Sequence, residues 1–143
     1  MTSETPRFWP QNPGRQPAGP QPESILRKAA AELGPLTDHE VVAELRTRVS
    51  GEWLEHDFYL LSSAVGYRYL LFRAHHRLGY PVEIRDAPSE KGTSSDEDPF
   101  DEEYEVLECA NAEELERALK QIFEHPATQA IVGQLRSLSR ETG

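Results

Sequence analysis

The stretch WLEHDFYLLSSAVGYRYLLFRAHHRLGYPVEI, Trp53–Ile84, decides how this chain folds. Wound as a helix over 53–78, it would present Tyr, Phe, Leu and Val on every side and leave no polar face for water. Laid out as strands, it makes better sense. It holds four of the five tyrosines, and Gly66, Gly79 and Pro81 punctuate it at regular distances. The reading is a β-meander with strands at about 56–64, 67–76 and 80–86.

A first turn centred on Val65-Gly66 sets Phe58 opposite Arg73, Leu60 opposite Leu71, Ser62 opposite Tyr69 and His56 opposite His75. A second turn at Leu78-Gly79 sets His75 opposite Val82 and Arg73 opposite Ile84. One face then carries Phe58, Leu60, Tyr69, Leu71, Val82 and Ile84, and the other Tyr59, Leu61, Leu70, Phe72 and Ala74. Both faces read as apolar, so both need cover. A slip of one residue would exchange the faces of a whole strand.

Toward the N-terminus, Ser24 to Leu33 reads as a helix with Ile25, Ala29 and Leu33 on one stripe, stopped by Gly34-Pro35. Thr37 followed by Glu40 has the spacing of a capping box. Val41, Val42, Leu45 and Val49 extend a second helix to about Ser50, which Gly51 ends. Residues 1–22 contain six of the eleven prolines, which excludes regular structure and predicts a disordered, Pro-rich tail. Phe8 and Trp9 stand out in it as a candidate partner-binding anchor.

Toward the C-terminus, residues 86–105 hold nine acids and one base, a net charge of -8 out of -10 for the chain. The remaining 16 acids and 14 bases leave -2. The acidity therefore belongs to one loop, longer than compact domains carry without a function or disorder. Tyr104–Cys109 alternates as a fourth strand. Asn111 caps the next helix with Glu114 at the capping-box position, and Leu115, Leu119 and Ile122 form its stripe. His125-Pro126 breaks that helix and opens another, with Ile131, Leu135 and Leu138 inward.

The resulting expectation is an α+β fold: a small antiparallel β-meander sheet of about four strands, flanked by N-terminal and C-terminal helix pairs. The tail covers 1–22. A single domain covers 23–143, with a disordered acidic insertion at about 87–103.

With 143 residues, 37% apolar and 28% charged, the chain is too hydrophobic for wholesale disorder. No run approaches the roughly 18 to 20 apolar residues of a spanning helix, so no membrane contact is expected. One cysteine, Cys109, excludes an internal disulfide and a Cys-rich zinc site, and no signal-peptide core is visible, which predicts a cytoplasmic protein. No nucleophile elbow, phosphate loop or dinucleotide fingerprint appears, and no cofactor is implied.

His56-Asp57 resembles the dipeptide of metal-dependent HD phosphohydrolases. That family also needs an upstream histidine and a distant aspartate on helices of an all-α domain, whereas here the dipeptide opens a strand, so nothing is carried over. His56 and His75, facing each other in the register above, are the metal-site candidates. Arg68, Arg73, Arg77 and Arg85 would be needed for nucleic acid, but Arg68 and Arg73 read onto opposite faces and the acidic loop would repel phosphate.

The expected function is a non-enzymatic protein-interaction module of regulator, adaptor, immunity or inhibitor type. Its partner is another protein with a basic surface, met through Asp96, Glu97, Asp98, Asp101, Glu102 and Glu103. An apolar sheet face offers a second route, including a second copy of the chain. A small metal-dependent hydrolase or metal-binding protein centred on His56 and His75 is the alternative, and nucleic-acid binding the third.

Overall fold

The computed structural model describes residues 8–14, 19–88 and 106–142. Helix α1 (Pro22–Leu36) is followed by strands β1 (Val41–Ser50), β2 (Trp53–Ser62), β3 (Arg68–His76), β4 (Val82–Arg85) and β5 (Leu107–Cys109). Helices α2 (Ala112–Glu124) and α3 (Pro126–Thr142) close the chain. The strands form one antiparallel meander in the order β1-β2-β3-β4-β5. The α+β class and the meander are as the sequence predicts. The sheet has five strands rather than four, and one N-terminal helix rather than two.

The extra strand is β1, where the apolar stripe of residues 41, 42, 45 and 49 predicts a helix. Val41, Ala43, Leu45, Thr47 and Val49 alternate with Val42, Glu44, Arg46 and Arg48, a period of two that also contains much of the apolar set expected of a helix. Pairing with the whole of β2, from Val41↔Ser62 to Ser50↔Trp53, decides for the strand. Thr37 accordingly caps no helix start. It is the C-cap of α1, with its N–H donating to Gly34 O at 3.1 Å. Its Oγ1 lies 2.7 Å from Val41 O and accepts the Val41 N–H at 3.2 Å, stapling the helix end to the strand start. Gly34 and Pro35, read as a stop, lie inside the last turn of α1.

The turns fall where glycine was expected, with Gly66 at φ +77° and Gly79 at φ +76°, a backbone region glycine enters without strain. The register differs. His56 pairs with Ala74, Asp57 with Arg73 and Phe58 with Phe72, and beyond a bulge Tyr59 pairs with Leu70. Leu71 is the extra residue, and both Leu71 and Phe72 are buried. Between β3 and β4, His76 pairs with Val82 and His75 with Glu83, one residue from the predicted pairing.

The core lies on one face of the sheet only. Val41, Phe58, Leu60, Leu71, Phe72, Ala74, Val82, Ile84 and Cys109 meet Leu26 of α1, Leu115, Leu119 and Ile122 of α2, and Leu135 of α3 in one cluster. Phe58 and Phe72 stack with centroids 4.8 Å apart, and Phe123 leans on both. The expectation of helices on both faces is thereby corrected: the second face is polar enough to stand in water.

The C-terminal helices start as predicted. Asn111 Oδ1 accepts the Glu114 N–H at 2.9 Å, and Glu114 Oε2 accepts the Ala110 N–H at 2.6 Å. His125 Nδ1 accepts the Ala127 N–H at the start of α3. The far end of α3 is tied to the sheet. Ser139 Oγ donates to Glu40 O at 2.7 Å, so its bond to Ser62 Oγ, also 2.7 Å, takes its proton from Ser62.

Candidate functional site

The open face of the sheet is built by the residues that alternate with the core. Glu44, Arg46 and Arg48 come from β1, Trp53, Glu55, Asp57, Tyr59 and Leu61 from β2, Arg68, Leu70, Arg73 and His75 from β3, Glu83 and Arg85 from β4, and Glu108 from β5. They interlock. Asp57 lies 3.3 Å from Arg48 and 3.5 Å from Arg73, its own side chain almost buried between them. Glu44 binds Arg68 at 2.9 Å and Arg46 at 3.1 Å. Burial opposes charge on Glu44, but the hydrogen bonds from Arg46 and Arg68 outweigh it and hold its carboxyl below the usual range.

His75 completes this lattice. Its Nε2 is 3.7 Å from Glu55 and its Nδ1 3.7 Å from Glu83, and it stacks on Trp53 with centroids 4.1 Å apart. The Arg77 guanidinium covers the same indole at 4.7 Å, and that of Arg46 lies over Tyr59 at 5.7 Å. Arg48, Glu55, Arg73, His75, Arg85 and Asp86 line a shallow cleft of about 260 Å³ in this face. Half-exposed pairs of this kind contribute little stability each, ~0–1 kcal/mol. Their effect is to fix the arginine side chains in place while leaving them about half exposed.

The histidines expected to face each other do not. His56 points into the core and His75 to the open face, so one ion cannot reach both. His56 instead meets His76, Nε2 to Nε2 at 2.8 Å, with both rings buried. His76 Nδ1 bonds the Arg77 carbonyl, which only accepts, so the ring's proton sits on Nδ1 and its Nε2 accepts from His56. His56 Nδ1 is then left to accept from the Thr47 hydroxyl at 2.8 Å. One proton on each ring satisfies this chain of bonds. Burial, and after it the neighbouring His76, lower the His56 pKa to about 4. Among the described residues no three His, Cys, Asp or Glu side chains are grouped to hold a metal ion.

Cys109 is buried as a core residue, and burial pushes its thiol up to about 11, with Glu114 and Glu108 adding to the effect. That is the opposite of a reactive thiolate. Phe8 and Trp9 are 92% and 72% exposed. The acids Asp96, Glu97, Asp98, Asp101, Glu102 and Glu103 lie outside the described residues. No described helix is long and apolar enough to cross a membrane. No family model, no curated protein and no solved structure matches the chain.

Arg68 and Arg73 share the open face, against the expectation that they oppose each other. The bulge at Leu71 is the reason, since one extra residue between them restores a common side. Sequence reasoning missed Arg46 and Arg48 as members of the face because it placed them on a helix. The alternation of residues 41–49 was the signal that would have found them.

Proposed function

We propose that this chain is a non-enzymatic protein-binding module whose open sheet face receives another protein. The observation that carries the reading is the composition and setting of that face. Arginine, Trp and Tyr are the residues enriched at protein interfaces and their hot spots; here carboxylates hold the arginines, which stay about half exposed, and Trp53 and Tyr59 lie half-buried beneath arginine side chains. Strands about 4.8 Å apart and rising about 3.3 Å per residue give a face of roughly 500–600 Å², or on the order of 1,000–1,200 Å² counted on both partners. That reaches the range of a specific but modest interface.

The acidic segment beginning at Asp86 leaves β4 directly after Arg85, at the border of this face. In this reading it adds the steering expected of an -8 charge and favours a partner with a basic surface. Nucleic acid is the less favoured ligand. Arg46, Arg48, Arg68, Arg73, Arg77 and Arg85 lie among Glu44, Glu55, Asp57, Glu83, Asp86 and Glu108, six against six, so phosphate meets no net positive field.

The test is affinity capture from the native host, followed by titration of the captured partner against three proteins. They are the intact chain, an Arg46→Glu/Arg73→Glu variant and a chain lacking 88–103. The face variant should lose most of the affinity, and the deletion should flatten its salt dependence. Equal binding by the face variant would end the proposal, and unchanged salt dependence in the deletion would remove the acidic segment from it.

A further inference from the structure

Among the described residues β1 and β5 are the edge strands of the sheet, and they differ in length. β5 has three residues, whereas β1 has ten, paired without a break from Val41↔Ser62 to Ser50↔Trp53. The ladder shows which backbone groups of β1 face outward. Ser63 N–H donates to Glu40 O at 3.1 Å, so Glu40 turns its carbonyl toward the β2 side. Alternation along an antiparallel strand then turns Val42, Glu44, Arg46 and Arg48 the same way, and Ala43, Leu45, Thr47 and Val49 outward. Val41 agrees with this phase, since its N–H and C=O both bond the Thr37 hydroxyl instead of β2.

Natural edge strands are protected from pairing by proline, a bulge or short length. β1 has none of these, and Val49 stands 72% exposed near its end. The charges of the strand say what pairs with it. Two copies meeting antiparallel about a two-fold axis set outward residues against outward residues, so the axis falls on a single residue. Three registers engage at least three of the four outward residues, those centred on Leu45, Arg46 and Thr47. Centring on Arg46 opposes that arginine to itself, and centring on Thr47 opposes Arg46 to Arg48. Centring on Leu45 sets Glu44 opposite Arg46 of the second copy, and does so twice. Leu45 then meets Leu45, and Ala43 meets Thr47, each of these outward pairings exchanging two backbone hydrogen bonds. Glu44 and Arg46 fall at non-hydrogen-bonded positions, where facing side chains lie closest.

We infer that a second copy of this chain adds to the β1 edge in the register centred on Leu45, joining two five-stranded sheets into one. The two-fold axis is perpendicular to the joined sheet, so the two open faces lie side by side and point the same way. A partner of that face meets it in duplicate. The pairing itself rests on the strand edge and stands whether or not the open face binds another protein.

Amide hydrogen exchange of the full chain, resolved by NMR at about 1 mM, reads the edge without any substitution. The N–H groups of Ala43, Leu45 and Thr47 should be protected in the dimer, as those of Glu44, Arg46 and Arg48 are by β2. Sedimentation equilibrium then tests the register. Arg46→Glu and Glu44→Arg each turn two opposite-charge pairs into two like-charge pairs, so each variant alone should dimerise about ten-fold more weakly or worse. Mixed one to one, they place unlike charges at every Glu44–Arg46 site and should associate at least as well as the native chain. A native chain that sediments as a monomer at about 1 mM, or whose Ala43, Leu45 and Thr47 amides exchange freely there, overturns the inference. Undiminished dimers in both single variants also overturn it, because the copies then meet elsewhere. A mixture that stays monomeric overturns the register. Should either variant lose its native circular dichroism, Glu44→Gln and Arg46→Gln take their place, each expected to weaken the dimer, and the exchange experiment on the native chain decides unaided.

Discussion

Acid should weaken this fold in a window set by one buried imidazole. His56 has a folded-state pKa of about 4 against an ordinary 6.5, because burial and then His76 oppose its charge. The unfolded chain therefore binds a proton at this site between those values while the folded chain does not. Stability rises with pH wherever the unfolded state holds more protons, so the contribution is intact above about pH 6.5 and lost progressively down to about pH 4. The difference is 6.5 - 4, about 2.5 units, or roughly 3 kcal/mol at about 1.4 kcal/mol per unit. In a protein of this size that corresponds to a fall of roughly 10 °C in Tm. Urea unfolding at pH 7, 6, 5 and 4.5, followed by circular dichroism, measures it. His56→Gln supplies the control, since an amide keeps a donor for His76 but takes up no proton. It should lower stability at pH 7 by about 1–2 kcal/mol through the lost Thr47 bond and flatten the curve between pH 6.5 and 4.5. A native curve that is already flat, or a His56→Gln curve as steep as the native one, would refute the reasoning.

Three further outcomes are expected. Glu40 receives Arg140 at 2.6 Å and Arg136 at 2.9 Å, and these bonds, Arg140 first, hold its carboxyl below the usual range against burial. Glu40→Gln should therefore lower Tm at neutral pH, speed amide exchange in α3, and remove the loss of stability that the native chain shows as pH falls through the lowered pKa. At pH 8 the Cys109 thiol, at about 11 instead of 9.0, carries about a hundred-fold less thiolate than a free one, so alkylation of the native protein should be slow and should match a model thiol once urea unfolds it. Asn111→Ala should cost about 1 kcal/mol in chemical denaturation and Asn111→Asp little or nothing, because a carboxylate can still accept the Glu114 N–H at the start of α2.

Much of the architecture was legible because local signals agreed with one another. Gly66 and Gly79 marked real turns, Asn111 and Glu114 a real cap, and His125-Pro126 a real break between helices. Two errors came from signals that serve two masters. Thr37-x-x-Glu40 has capping-box spacing, but Thr37 uses its hydroxyl to close α1 and Glu40 its carboxylate to hold α3. Apolar residues at 41, 42, 45 and 49 satisfy a helical stripe, while 41, 43, 45, 47 and 49 satisfy a strand; only the partner strand decides. The His56–His76 bond was not accessible, since it depends on which faces meet in three dimensions.

The bulge at Leu71 links the misread register to the candidate site. Without it, a uniform antiparallel register continues and β3 turns either Leu71 or Phe72 outward, so one large side chain would stand in water. Burying both contributes several kcal/mol at about 2 kcal/mol per side chain, more than the ladder bond a bulge forfeits. The core therefore selects the bulge. Its consequence on the other face is electrostatic: Arg68 and Arg73, five apart and nominally opposed, come to one side and find Glu44 and Asp57 there. A demand made by the core thus assembles the charged face, which is why pairing the strands by turn position alone dispersed the very arginines that the fold gathers.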